Sequence, residues 1–326
     1  MKGAASRRGS AESEPTSWPA CAVKVDHLVV SYGSRVAVDD VSFTIRTGSV
    51  FGLVGPNGAG KTSIVESVLG LRQPAPTSRI EVFGLDPVDG SRTLRRVVGV
   101  QLQESAFPSR CRVGELCELY EAIYQCPRAT GRLLRDYGLD DRTRSLISSL
   151  SGGLRQRLAL VLAQIGDVRL VVLDELTTGL DPVQRASTWE AVKRLAKRGV
   201  TVLLTSHYMD EVEALCDEVG VLVEGHLVAR GSPQELTEAY GGGATFFLLR
   251  SMLSSKLEAA IDGLHLATVA TDNSAVVALR GDFPLDYERL VGVLRDEGLP
   301  SSIVRVHAAT FEAAYLNLVG SKWGGV

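Results

Sequence analysis

The sequence predicts an α/β protein: a core sheet with an antiparallel β layer and an inserted helical subdomain, followed by a small α+β unit. Three observations carry that prediction. Short apolar runs at 50–54 and 170–173 end in glycine-rich or acidic turns and pass into helical spacing, as buried strands of an α/β sheet do. Two runs of alternating apolar and polar residues precede the first of them, which a simple strand-helix-strand start would lack. After Gly241-Gly242-Gly243 the pattern becomes strand, helix, strand, strand, helix, strand and a final helix, the ferredoxin-like order.

Bulk properties set limits before any motif does. A chain of 326 residues with 45% hydrophobic and 22% charged residues has an ordinary globular balance and room for one or two domains. Its formal charge of −3 gives no sign of a basic nucleic-acid surface. The five cysteines lack C-x-x-C spacing, so free thiols in a reducing compartment are expected rather than a zinc site. No apolar run reaches the length of a membrane span, and Arg7-Arg8 is not followed by an apolar segment. Any membrane role is therefore expected to run through a partner.

In chain order, residues 1–21 are rich in Ser, Ala, Glu, Gly and Pro and are expected to be a disordered extension. Alternation from Ala22 gives a strand ending near Tyr32-Gly33, and Val36 to Ile45 gives a second. Tyr32 has two readings here, an ordinary half-buried strand tyrosine or a platform for an adenine ring. The apolar run at 50–54 then opens into Gly55-Pro56-Asn57-Gly58-Ala59-Gly60-Lys61-Thr62, followed by Ser63 and helical spacing. Glycines there let consecutive N–H groups converge on a phosphate, and the helix that follows points its positive end at the same anion. Lys61 would add a point charge at the β and γ phosphates, and the Thr62 hydroxyl would ligate Mg²⁺. That pattern implies a bound nucleotide.

Residues 72 to 100 read as short strands and loops, and 113 to 149 as mostly helical, with Leu116, Leu119, Tyr120 and Ile123 forming one apolar stripe. A helical subdomain over about 104–150 is expected between the halves of the core. Ser151-Gly152-Gly153 then opens a helix, either as a plain cap or as a second anion site. The strand at 170–173 ends in Asp174-Glu175 at the carboxyl edge of the sheet, where α/β proteins bind ligands. Asp174 suits a Mg²⁺ role through water, and Glu175 suits orientation of an attacking water. A turn around Asp181-Pro182 leads into a helix to about Lys197, and the strand from Val200 ends in His207 at the same edge. The glycine triplet at 241–243 divides the chain into units of 22–241 and 242–326, the second expected to serve interaction or regulation.

These residues together resemble the ATP-binding subunit of an ATP-binding cassette (ABC) transporter over about residues 22–240. Gly55 to Thr62 matches its Walker A loop, Leu150-Ser151-Gly152-Gly153 its signature, and Leu170 to Glu175 its Walker B strand. Gly179-Leu180-Asp181 matches the D-loop and His207 the switch histidine, while Tyr32 falls at the adenine-stacking aromatic. Gln103 falls at the Q-loop, with Gln101 as a neighbouring rival. The segment from Leu204 to Glu211, and a closing segment from Ala309 to Leu318, resemble the drug-exporter branch that includes daunorubicin-resistance ATPases. Two positions depart from the family pattern: Leu154 stands where glutamine is usual, and Leu176 where proline is usual.

The resemblance implies ATP and Mg²⁺, the ion on Thr62, Gln103 and Asp174, and ATP on the Walker A residues, Tyr32, Gln103, the signature and Asp181. It implies catalytic roles for Glu175 on the water, His207 on the γ phosphate and Lys61 on developing charge. It further implies a head-to-tail homodimer with two sandwiched ATPs, attached at the inner face of the cell membrane through separate permease subunits. The expected work is export of a drug-like or lipophilic substrate. The competing reading is a non-transport ABC ATPase acting on ribosomes or nucleic acid, but those types carry tandem cassettes or a long coiled-coil insertion. A P-loop kinase or GTPase leaves Ser151-Gly152-Gly153 unexplained.

Overall fold

The computed structural model describes residues 18–102, 107–108, 110–126, 130–269, 276–281 and 285–320. Residues 1–17 of the expected N-terminal extension, and Gln103, lie outside them. Strands β1 (Cys21–Tyr32) and β2 (Arg35–Arg46) pair antiparallel, and the other edge of β1 takes β4 (Arg79–Val82), giving a three-stranded layer in the order β2-β1-β4. That layer is the antiparallel sheet expected from the two runs ahead of the P-loop. Its inner face meets the core through Phe43, whose ring stacks on Phe51 at 5.2 Å between centroids.

The core sheet has six strands in the order β5-β6-β7-β3-β8-β9. They are β3 (Val50–Val54), β5 (Val98–Gln101), β6 (Leu170–Asp174), β7 (Thr201–Ser206), β8 (Glu218–Val223) and β9 (His226–Gly231). The pairs from β5 to β8 are parallel and β9 closes the edge antiparallel. Every residue of β3, β6 and β7 is buried, because the three-stranded layer packs over one face of the sheet and helices over the other. Their continuous apolar runs follow from that, and the carboxyl ends of all three reach one edge together.

Helix α1 (Lys61–Val68) follows the P-loop, and α2 (Ser91–Val97) precedes β5. This second helix falls where the sequence suggested only strands and loops; its apolar positions are Leu94 and Val97, one turn apart, and both are buried against the β layer. The helical subdomain comprises α3 (Val113–Tyr124) and α4 (Thr130–Asp136), packed against α5 (Gly152–Leu162). The expected α3 stripe is split: Leu116 is buried and Tyr120 half-buried, but Leu119 and Ile123 are 53% and 62% exposed. Helices α6 (Pro182–Lys197), α7 (Met209–Leu215) and α8 (Pro233–Tyr240) complete this unit. Ser232 and Glu235 form a reciprocal capping box at the start of α8.

The C-terminal unit is a four-stranded antiparallel sheet in the order β11-β12-β10-β13, the ferredoxin-like arrangement. It contains β10 (Ala244–Leu249), α9 (Ser255–Asp262), β11 (Ala267–Val269), β12 (Val276–Gly281), α10 (Leu285–Asp296) and β13 (Arg305–His307). Phe246, Leu257, Ile261, Leu290 and Leu294 give it a core of its own. The last helix, α11 (Phe311–Gly320), packs elsewhere. Phe311 is fully buried in the cluster that holds Val212, Leu215 and Leu236, and the Asn317 side-chain N–H donates to the Tyr240 carbonyl at 2.8 Å. Among the described residues no helix is long and apolar enough to cross a membrane.

Candidate active site

The loop between β3 and α1 is fitted to its surroundings by two glycines. A Cβ on Gly55 would stand 2.2 Å from the Leu222 carbonyl oxygen. Gly60 adopts φ +106°, and a Cβ there would stand 2.4 Å from the Ala37 carbonyl oxygen. No side chain caps the start of α1, so its first N–H groups face the loop unclaimed by a capping oxygen. Lys61 is 6% exposed and its ammonium donates to the carbonyls of Gly55 at 2.7 Å and Pro56 at 3.1 Å. Burial pulls its pKa down, while the charges of Glu175 and Asp174 hold it up.

A cavity of about 840 Å³ opens beside this loop. It is lined by Tyr32, Asn57, Gly58, Gly60, Lys61, Thr62, Ser63, Asp174, Glu175 and His207, together with Arg35 and Ala37 of β2. Ten expected site residues from four parts of the chain thus share one wall system, because β3, β6 and β7 end side by side and β1 ends at Tyr32 beside them. Gly55, Pro56 and Ala59 shape the loop behind it without lining it. Arg35 and Ala37 were missed, and no motif marks them; only the position of β2 over the loop brings them in.

Asp174 is buried, and the Thr205 hydroxyl donates to its carboxylate from the neighbouring strand, where the two residues are register partners. Burial pushes the Asp174 carboxyl above the usual range, opposed by the Thr205 hydrogen bond. The Glu175 N–H is shared between the Thr205 carbonyl at 3.2 Å and its hydroxyl at 3.1 Å. Glu175 itself sits at φ +49°, a left-handed conformation that a following proline would disfavour. Leu176 stands in that place, fully buried, and its carbonyl accepts a hydrogen bond from the Gln156 side chain of α5 at 2.5 Å. His207 Nδ1 lies 3.6 Å from Glu175 Oε1.

The donor set fits Mg²⁺. Asp174 supplies a buried carboxylate and Thr62 a hydroxyl on the same cavity, hard oxygen ligands that leave the remaining positions to water and phosphate. Tyr32 is 46% exposed, with its hydroxyl 3.1 Å from Ser63 Oγ. One face of its ring carries the Arg72 guanidinium at 4.3 Å, and Arg72 is fixed in turn by Glu66 at 2.6 Å. Arg72 also escaped notice in the sequence, since it lies forty residues from the tyrosine it covers.

The signature and Asp181 do not line this cavity. Ser151 and Gly152 are exposed, and Ser151 Oγ accepts the Leu154 N–H at 3.4 Å as the cap of α5. Gly153 is buried, with the Gln184 side chain 2.2 Å from where a Cβ would stand. The Asp181 carboxylate caps α6, accepting from the N–H groups of Val183 and Gln184, both at 2.9 Å. Leu154, the other departure, packs half-buried against the main core. Gln101, the rival to Gln103, is 2% exposed and its side-chain N–H donates to the Leu102 carbonyl at 3.1 Å, away from the cavity wall.

Comparison with known proteins finds relatives of one family. A family model described as ABC transporter matches residues 38–178. The chain is 34% identical to the Daunorubicin resistance ATP-binding protein DrrA3 of Streptomyces coeruleorubidus, across 92% of this chain and 96% of that one. It is 37% identical to the Nod factor export ATP-binding protein I of Rhizobium meliloti, across 70% and 72% of the two chains. Among solved structures, an ATP binding subunit of an ABC transporter superposes with a TM-score of 0.62 at 26% identity, covering 67% of this chain and 93% of that one. The cbiO1 protein of Clostridium perfringens, part of the ABC transporter complex cbiONQ, superposes with a TM-score of 0.61 at 24% identity, over 68% and 92%.

Proposed function

The chain belongs to the family of ABC transporter ATP-binding subunits, and we propose that its 840 Å³ cavity hydrolyses ATP to drive export of a drug-like or lipophilic substrate through separate membrane subunits. The observation that carries the chemistry is the meeting of Lys61, Asp174, Glu175 and His207 at one sheet edge, in front of an uncapped helix start. In this reading Glu175 orients and deprotonates the attacking water, and its left-handed backbone aims the carboxylate into the cavity. His207, 3.6 Å away, contacts the γ phosphate and steadies Glu175. Lys61 exchanges its loop carbonyls for phosphate oxygens and meets the charge that develops there. Thr62 and Asp174 would hold Mg²⁺, which neutralises the β and γ phosphates when bound. Tyr32, backed by Arg72, offers its other face to adenine.

Ser151, Gly152, Gly153 and Asp181 remain outside the cavity of their own chain. They are read as the second wall of the site on another copy, so that the working form is a homodimer with two equivalent sites. Export is supported by the relatives, whose names describe daunorubicin resistance and Nod factor export. Attachment at the inner face of the membrane would follow from binding the permease. The exposed Leu119 and Ile123 of the helical subdomain leave an apolar surface there.

The test of the site is Glu175→Gln, which should keep ATP binding and slow hydrolysis by roughly 10²–10⁴-fold. Near-normal turnover in that variant removes Glu175 from the role. The transport reading is tested by co-purification with a polytopic membrane protein whose presence changes the ATPase rate. Sedimentation with ribosomes or DNA instead would overturn it.

A further inference from the structure

Helix α6 holds the end of β7 by two separate grips, and both bear on His207. The first is buried. Ser206, immediately before His207, donates to the Glu211 carboxylate at 2.5 Å, and the Trp189 indole N–H donates to the other Glu211 oxygen at 3.2 Å. Glu211 is fully buried, and the Tyr208 N–H closes the turn on Ser206 Oγ at 3.0 Å. The second grip is at the rim. The His207 ring rests against the Tyr208 ring, with centroids 4.2 Å apart. Arg185 lies over Tyr208 at 4.6 Å while its guanidinium donates to Asp210 at 2.7 Å. Arg185 and Trp189 are one turn apart on α6 and so share a face.

The side chain of His207 is 38% exposed, so the grips on its neighbours, rather than burial, set where it stands. A buried carboxylate is also an expensive way to tie two elements together unless its position has a use. We propose that Tyr208 and Glu211 are positioning residues for His207, braced from α6 by Arg185 and Trp189, which fix the imidazole against Glu175. The proposal rests on the hydrolytic role assigned to His207 above. Neither residue touches nucleotide in this scheme; each acts through the histidine between them. Helix α6 starts at the Asp181 cap, so one rigid element links that cap to the histidine.

The experiment measures kcat and KM for ATP in the full chain carrying Trp18→Phe and Trp323→Phe, which leaves Trp189 as the single tryptophan. Tyr208→Ala and Glu211→Ala should each lower kcat by about 10-fold or more, with KM within about two-fold, as expected when a reacting group is misplaced. The conservative Tyr208→Phe and Glu211→Gln should restore kcat to within about two-fold of the parent, because Phe keeps the ring stack, and Gln keeps an oxygen for the Trp189 indole N–H while its amide N–H can donate to Ser206 Oγ. Adding Tyr208→Ala to His207→Ala should cost nothing further. Unaltered Trp189 emission in Tyr208→Ala, and an unaltered thermal melt in Glu211→Gln, show that the fold around α6 is kept. Full kcat in Tyr208→Ala and Glu211→Ala, with His207→Ala impaired, overturns the proposal alone. Full kcat in His207→Ala overturns the assigned role of the histidine and the proposal with it.

Discussion

Gly55 and Gly60 of the P-loop are boxed in by main chain, whereas Gly153 of the signature is boxed in by a side chain. Gly55 faces the Leu222 carbonyl at 2.2 Å from a virtual Cβ, and Gly153 faces the Gln184 side chain at the same 2.2 Å. The Walker half is concave and gathers a buried ammonium and a buried carboxylate. The signature half is a helix start at the surface, with Ser151 and Gly152 exposed and Ser151 Oγ capping its own helix through the Leu154 N–H. Both halves use a helix N-terminus, so the difference lies in what surrounds it. A finished pocket is rigid because backbone cannot step aside; a surface meant for docking can leave its fit to side chains that adjust.

That contrast breaks first at the two glycines. Gly55→Ala should weaken binding of a fluorescent ATP analogue by roughly 10²-fold, or about 3 kcal/mol, because the Leu222 carbonyl belongs to a central strand. Gly153→Ala should leave both binding to the separate chain and Tm within about 2 °C, since Gln184 can rotate away. Equal damage from both would show that the signature is as rigid as the loop.

Complementation sharpens the comparison next. Lys61→Ala spoils the Walker half and Ser151→Arg the signature half, so each variant alone should be nearly inactive. In the proposed homodimer, random pairing in an equal mixture makes about half the dimers mixed, each with one intact site of two, and the ATPase rate should return to about a quarter of the parent. No recovery would mean that the two halves do not complete each other across copies.

The smallest effect concerns the direct tie between the halves within one chain. Gln156, on the signature helix, donates to the carbonyl of Leu176, the residue after Glu175. Gln156→Ala should lower stability by about 1 kcal/mol, a shift of a few degrees in Tm, and change the ATPase rate only modestly. A large loss of rate with no loss of stability would instead make that hydrogen bond part of the coupling path.

The Walker half was largely legible in the sequence because its residues act through backbone conformation and buried strand ends, both of which leave local signals. Asp174, Glu175 and His207 each close an apolar run, and the register of β6 and β7 follows from the fold class. Thr205 was not legible as a partner of Asp174, since a single hydroxyl inside an apolar strand reads as tolerated polarity. Arg35, Arg72, Arg185 and Trp189 were invisible for a different reason: each reaches its target across a tertiary contact, and nothing local distinguishes such an arginine from a solvated one. The α3 stripe misled because an exposed apolar face carries the same periodicity as a buried one. Helix α2 was overlooked because two apolar residues one turn apart are too few to show a period.

The last helix makes the C-terminal unit a closed excursion of the chain. The backbone leaves the main body after α8 and returns to it at Phe311, which seats in the same cluster as Val212 and Leu236. The four-stranded sheet is therefore moored at both ends. A proteolytic nick anywhere in it would leave two fragments that stay together through α11. Shortening the chain at Gly241, by contrast, would pull Phe311 from its socket and wound the ATPase itself, so the true end of the catalytic body, at Phe311–Gly320, lies well beyond its last strand, which ends at Gly231.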